Sequence, residues 1–144
     1  MQAHHLYIGL GSNLGDRRAL ILEALRLIDL TVGHVQAVSS LIKTQPWGFQ
    51  SPHPFLNGAV RVITTLTPHQ CLRQTQHIER MLGRSHKSVG GQYHDRPIDL
   101  DLLLYDHLTL RTPELTLPHP LIEQRDFVRI PLQQVLIDCP SPCF

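Results

Sequence analysis

The apolar positions of this chain change period several times, and each change marks an element. Leu6, Tyr7, Ile8 and Leu10 make a short apolar run that predicts a buried strand over Leu6–Leu10. Gly11-Ser12-Asn13-Leu14-Gly15 tolerates unusual backbone angles and is expected to close that strand as a turn into a helix. From Asp16 to Leu30, Ile21, Leu25 and Ile28 recur at helical spacing, while Arg18, Glu23 and Arg26 fall toward solvent. His34–Lys43 carries Val35, Val38, Leu41 and Ile42 without helical punctuation and is expected to be a second strand. Three prolines, a glycine and the only tryptophan between Gln45 and Pro54 exclude helix and central strand, and Phe55–Thr65 resumes as strand. Thr67, Pro68 and Gln70 form a capping-box signature with proline at the first helical position. The helix they open carries Cys71, Thr75, Ile78 and Leu82 on one side and ends at Gly83, a left-handed cap. After a basic, glycine-containing loop from Arg84 to Asp95, Ile98–Leu104 reads as a central strand.

Strand, helix, strand, strand, helix, strand is the order of a ferredoxin-like plait. The fold expected is α+β: an antiparallel sheet with helices on one face and long active-site loops, in a single domain over residues 1–144. Hydrophobic residues at 42% and charged residues at 17% exclude disorder. A formal net charge of +1 supplies no global field for nucleic acid or a membrane surface, so an anionic ligand must be met by a local basic cluster. Met1–His5 lacks a basic region followed by an apolar run, and no stretch reaches the ~20 apolar residues of a membrane span, so a cytoplasmic protein is expected. Cys71, Cys139 and Cys143 have no framework spacing and too few companions for structural zinc, and are expected to be free thiols.

Candidate chemistry centres on the last strand. Alternation puts Asp99 and Asp101 on one face, roughly 6.5 to 7 Å apart at Cα, while Ile98, Leu100, Leu102 and Leu104 point into the core. Paired carboxylates in an apolar strand call for a compensating cation, and magnesium suits carboxylate oxygens and bridges to phosphates. By themselves these residues fit metal binding and ion pairing with Arg96 and a neighbour equally. The glycines of Gly9–Gly15 are mis-spaced for a dinucleotide fingerprint, and there is no P-loop, so side chains must grip any triphosphate. Arg84, Lys87, Arg96, His119, Arg125 and Arg129 are the available groups, each taken singly being more in keeping with a solvated surface charge. Trp47, Phe49 and Phe55 offer stacking surfaces and Asn57 a donor and acceptor for a heteroaromatic edge, although composition alone favours core filling for Trp47 and Phe55.

These motifs, taken in order, are those of a known family. Ile8–Gly15, Phe55-Leu56-Asn57 with Ala59-Val60, Ile78-Glu79 with Gly83-Arg84, Asp95–Tyr105, Leu117–Pro120 and Arg125–Val128 before Pro131-Leu132 span nearly the whole chain. The chain resembles the 6-hydroxymethyl-7,8-dihydropterin pyrophosphokinases of folate biosynthesis. The resemblance implies transfer of pyrophosphate from ATP to the pterin hydroxymethyl oxygen, releasing AMP, with two Mg2+ ions held by Asp99 and Asp101. It implies that Thr44, Trp47, Phe55, Asn57 and Phe127 surround the pterin, with the ring stacked between Phe55 and Phe127. Gln76, Glu79, Tyr93, Leu102, Thr116, His119 and Arg125 would hold ATP, and Arg84 and Arg96 would meet its phosphates as catalytic groups. Small-molecule substrates and a monomer are the implied partners and state, with no nucleic acid and no membrane. The stretch after Pro131 and Leu132 is expected to leave no room for a fused second folate enzyme.

His94-Asp95, Tyr93 and Glu114 depart from the family pattern, at positions where Gly-Pro, tryptophan and an ATP-contacting arginine are usual. Two other readings compete. An RNA-binding module on the same fold lacks its aromatic strand motif here, and another two-metal phosphoryl-transfer enzyme would share the acids without the aromatic pocket.

Overall fold

The strand at the centre of the sheet, β1 (His4–Ser12), is longer than its apolar run predicts. In the computed structural model, which describes residues 2–45, 53–83 and 97–137, β1 pairs antiparallel with β4 (Phe55–Thr64) on one side and β5 (Asp99–Tyr105) on the other. β2 (His34–Val38) lies beyond β4, giving the order β2-β4-β1-β5, and β3 (Ile42–Thr44) pairs with the other end of β4.

Two helices cover one face of this sheet, as expected for a ferredoxin-like α+β fold. α1 (Arg17–Thr31) starts at Asp16, whose carboxylate accepts from the Ala19 N–H at 3.2 Å. It buries Ile21, Ala24, Leu27 and Ile28 in the same core as Leu6, Ile8 and Leu10 of β1 and Val60 and Val62 of β4. α2 (Pro68–Met81) has the complete capping box: the Gln70 N–H donates to the Thr67 hydroxyl at 3.2 Å, and the Thr67 N–H donates to the Gln70 side chain at 2.8 Å. Its chain leaves through Gly83 at φ +97°, the left-handed conformation that glycine adopts without strain. Cys71 is buried on α2 as a free thiol, and burial pushes its pKa up to about 11; Cys139 and Cys143 lie outside the described residues.

The structure differs from the sequence expectations at several points, the first being that β5, expected as a central strand, lies at the end of the sheet with β1 at the centre. Gly11 and Ser12 belong to β1 rather than to a turn. The second predicted strand is two, because Ser39 interrupts it: the Ser39 hydroxyl takes the Ala59 N–H at 2.8 Å and the Ser39 N–H donates to the Ala59 carbonyl at 2.9 Å. A register shift between Tyr7 and Ile8 brings Leu104 opposite Tyr7, so Leu104 leaves the first core for a cluster on the other face, while Ile98, Leu100 and Leu102 remain in the first core. That second cluster includes a third helix, α3 (Asp126–Val135), whose Leu132 and Val135 pack with Tyr7, Ala59 and Leu103. Pro131 inside α3 hides it from pattern reading, since proline removes a helical N–H and biases its predecessor toward extended backbone. A small hairpin, β6 (Leu110–Arg111) and β7 (Thr116–Leu117), lies between β5 and α3. Among the described residues no helix is long and apolar enough to cross a membrane.

The end of α1 is docked tightly on β4. The Thr64 hydroxyl donates to the Val32 carbonyl at 2.6 Å, and a Cβ at Gly33 would stand 2.1 Å from the Ile63 carbonyl oxygen. The Gly33 contact is with backbone alone, where no flexible side chain can yield. Gly33→Ala is expected to lower stability by about 1–3 kcal/mol or more, read as an earlier urea midpoint with an unchanged slope.

Candidate active site

The two aspartates of β5 leave one face of the sheet, both half-buried, and their neighbours across β1 have no side chains. Asp99 lies opposite Gly11 and Asp101 opposite Gly9. On its other side Gly11 pairs with Asn57, and Gly9 pairs with Ala59. One row across the sheet therefore reads Asn57, Gly11, Asp99, spanning two inter-strand spacings or about 10 Å at Cα. Gly9 and Gly11 form the floor of this recess. A Cβ at Gly11 would stand 2.9 Å from the Asn57 side-chain oxygen and 3.5 Å from the Phe55 ring. Gly9 falls in the strand expected from the sequence and Gly11 in the turn expected after it; the signal for their role is glycine inside a strand, which marks close approach by something else.

Asn57 is buried, and its amide donates to the Thr44 hydroxyl of β3 at 2.5 Å. That bond fixes which way the amide faces and joins β3 to β4 through side chains. Phe55 is buried two residues earlier on the same face. α3 packs on this face too, through Tyr7, Ala59 and Leu103, and its first turn carries half-buried Phe127. Arg125 precedes that helix, is 8% exposed, and sets its guanidinium carbon 5.8 Å from the Phe127 ring centre.

His119 is held to β5 by its backbone N–H, which donates to the Leu103 carbonyl at 2.9 Å. Its Nδ1 accepts from the Leu121 N–H at 3.1 Å, which leaves the ring proton on Nε2. Burial, then the positive charge of Arg125, push its pKa down to about 4 against the opposing pull of Asp99. His119 is thus a neutral Nε2–H donor at pH 7, and Asp99, His119 and Arg125 lie within electrostatic reach of one another.

Glu79 is 2% exposed on α2, where its carboxylate accepts the Leu100 N–H at 2.8 Å. It thereby grips the backbone between the two aspartates. Gln76 is half-buried one turn earlier. Thr116 is half-buried on β7, and the side chain of Leu102 is buried in the first core, on the face away from the acids. Trp47, Arg84, Tyr93 and Arg96, with Phe49, Lys87 and His94-Asp95, lie outside the described residues. Glu114, where an ATP-contacting arginine is usual, sits with its carboxylate 3.7 Å from His69.

The donor set of this recess fits a hard divalent cation. Asp99 and Asp101 offer carboxylate oxygens beside a side-chain-free floor. Among the described residues no group of three or more His, Cys, Asp or Glu is arranged to hold a metal by itself. Two carboxylates are nevertheless what magnesium usually takes from a protein, with waters and substrate phosphates completing its shell.

Comparison with known proteins adds an independent finding. The family model for 7,8-dihydro-6-hydroxymethylpterin-pyrophosphokinase matches residues 7–137. A Porphyromonas gingivalis protein named 2-amino-4-hydroxy-6-hydroxymethyldihydropteridine pyrophosphokinase is 53% identical over 131 residues, covering 90% of this chain and 89% of the relative. A Bacillus subtilis protein of the same name is 39% identical over 130 residues, covering 90% of this chain and 76% of the relative. The fold matches a Plasmodium falciparum HPPK-DHPS crystal structure with a TM-score of 0.76 at 14% identity, across 99% of this chain and 42% of that longer one.

The depressed pKa of His119 makes stability pH-dependent. In the unfolded chain the imidazole protonates near 6.5, but in the fold only near 4. Between those values the unfolded state binds a proton that the native state refuses, so stability falls as pH drops through 6.5 and levels off below 4. The His119 contribution is expected to reach roughly 3 kcal/mol. Urea titrations of the ligand-free protein across this range test it: His119→Asn, which keeps an acceptor for Leu121, should show the shallower pH dependence.

Proposed function

This chain belongs to the 7,8-dihydro-6-hydroxymethylpterin-pyrophosphokinase family, and on that premise we propose how its own residues carry out the reaction. The protein transfers pyrophosphate from ATP to 6-hydroxymethyl-7,8-dihydropterin in folate biosynthesis. The pterin hydroxymethyl oxygen forms a bond to the β-phosphorus, the bond from that phosphorus to the α–β bridging oxygen breaks, and AMP leaves.

The row Asn57, Gly11, Asp99 is the observation that carries the assignment of roles. It sets a heterocycle-reading amide and a carboxylate on one face, with a glycine floor between them, so that a flat ring can lie over Gly11 with its reactive arm toward the acids. The Asn57 amide, oriented by Thr44, reads the pterin edge, and Phe55 and Phe127 provide its stacking surfaces. Asp99 and Asp101 would hold the two Mg2+ ions, which when bound would supply positive charge to offset that of the ATP phosphates. His119 donates from Nε2, and Arg125 adds a forked cation beside it on the ATP side. Glu79 acts through the Leu100 backbone by fixing the strand that bears both acids. Gln76 and Thr116 flank the nucleotide, with Leu102 contributing only its backbone because its side chain is buried on the other face, and Arg84, Tyr93, Arg96 and Trp47, which lie outside the described residues, would complete the site. Most of the catalysis then comes from positioning and electrostatics.

We further propose a single domain acting as a cytoplasmic monomer on small molecules, without nucleic acid or membrane, in line with the family match over residues 7–137 and the net charge of +1.

Incubation with magnesium, ATP and 6-hydroxymethyl-7,8-dihydropterin should release AMP in step with pterin diphosphate. Formation of ADP, or turnover without the pterin, would return the site to a general phosphoryl-transfer or nuclease reading. Asp99→Ala and Asp101→Ala should each cut turnover by about a hundredfold or more at an unchanged melting temperature; near-normal activity in either sinks the metal assignment. Gly11→Ala should displace Asn57 and raise the pterin KM by about tenfold while leaving the ATP KM alone, measured by steady-state kinetics.

A further inference from the structure

The last turn of α3 is tied to the chain that leads to Thr44, through a residue remote from the acids. Gln134 is exposed, and its side-chain oxygen accepts two hydrogen bonds at 2.8 Å each, from the Ser40 backbone N–H and from the Ser40 hydroxyl. Ser40 lies in the break between β2 and β3, and the chain runs from it directly into β3 and Thr44, the partner of Asn57. At the other end of α3 stands Phe127. Seven residues separate it from Gln134, close to two helical turns, so both lie on one flank of the helix.

The hydrogen-bond ladder of the helix between them is short of one rung. Residue 131 is proline, so the Phe127 carbonyl lacks its ordinary i+4 N–H donor, and the first turn of α3 also lacks a side-chain cap. Both ends of α3 are anchored: Val128 packs against the same cluster as buried Leu132 and Val135, and the Arg61 guanidinium donates to the Val135 carbonyl at 2.5 Å.

We infer that Gln134 is a positioning residue for pterin recognition: its paired bond to Ser40 sets the Phe127 wall of the slot against the Thr44–Asn57 wall. This rests on the pterin slot proposed above. The bond uses only an acceptor atom, which makes the role separable from bulk. A carboxylate accepts both hydrogen bonds as an amide oxygen does, whereas a thioether of similar size and flexibility does not.

The test is a fluorescence titration with 6-hydroxymethylpterin, together with steady-state kinetics, on wild type, Gln134→Met, Gln134→Glu and Phe127→Ala. Gln134→Met should bind the probe about three- to tenfold more weakly and raise the dihydropterin KM by the same factor, with kcat and the ATP KM unchanged. Gln134→Glu should behave as wild type. Wild-type binding by Gln134→Met, failure of Gln134→Glu to rescue, or parallel rises in both KM values overturns the assignment. If Phe127→Ala binds the probe normally, the slot itself is wrong and this role falls with it. If Phe127→Ala weakens binding and Gln134→Met does not, only the role of Gln134 is lost.

Discussion

The site depends on two side chains that are missing from the central strand. Gly9 and Gly11 sit in β1 between β4 and β5, and both neighbours direct their chemistry over the space those glycines leave. A methyl group at position 11 would already crowd the Asn57 oxygen. A strand normally gains by packing side chains on both faces, and glycine inside it costs backbone entropy and contact area. Here that cost is borne at the centre of the sheet, where the rest of β1, Leu6, Ile8 and Leu10, is buried on the helical face and can offset it.

Around this recess the charges are arranged by sign and by distance. The acids stand on one edge strand, and Arg125 and His119 approach from the segment leading into α3. His119 keeps a neutral ring because burial and Arg125 both oppose its protonation, so it contributes a directed donor rather than a second full charge. Glu79 works from the opposite direction, spending its carboxylate on a backbone N–H of β5 and holding the acid-bearing strand in register.

The two faces of the sheet serve different purposes. Among the described residues α1 and α2 pack an apolar core on one face, and α3 packs the second cluster on the other. Pro131 removes one hydrogen bond from α3, whose first turn packs through Val128 and whose last turn is held by Arg61 and Gln134.

Local signals were sufficient for much of this. Alternation placed Asp99 and Asp101 on one face, the capping box and Gly83 bounded α2, and ordered motifs identified the family, because each depends on residues close in sequence or on a pattern preserved in order. Tertiary structure decided what only pairing between strands can decide. Strand pairing carried β1 on through Gly11, which had the look of a turn, and set it with Gly9 opposite the acids, the Tyr7/Ile8 shift moved Leu104 across the sheet, and packing against the second cluster stabilised α3 despite Pro131. The bond between Thr44 and Asn57 joins residues thirteen apart and the one between Gln134 and Ser40 residues ninety-four apart. No local period encodes such contacts, because their energy exists only once the sheet has closed and brought both partners onto one face.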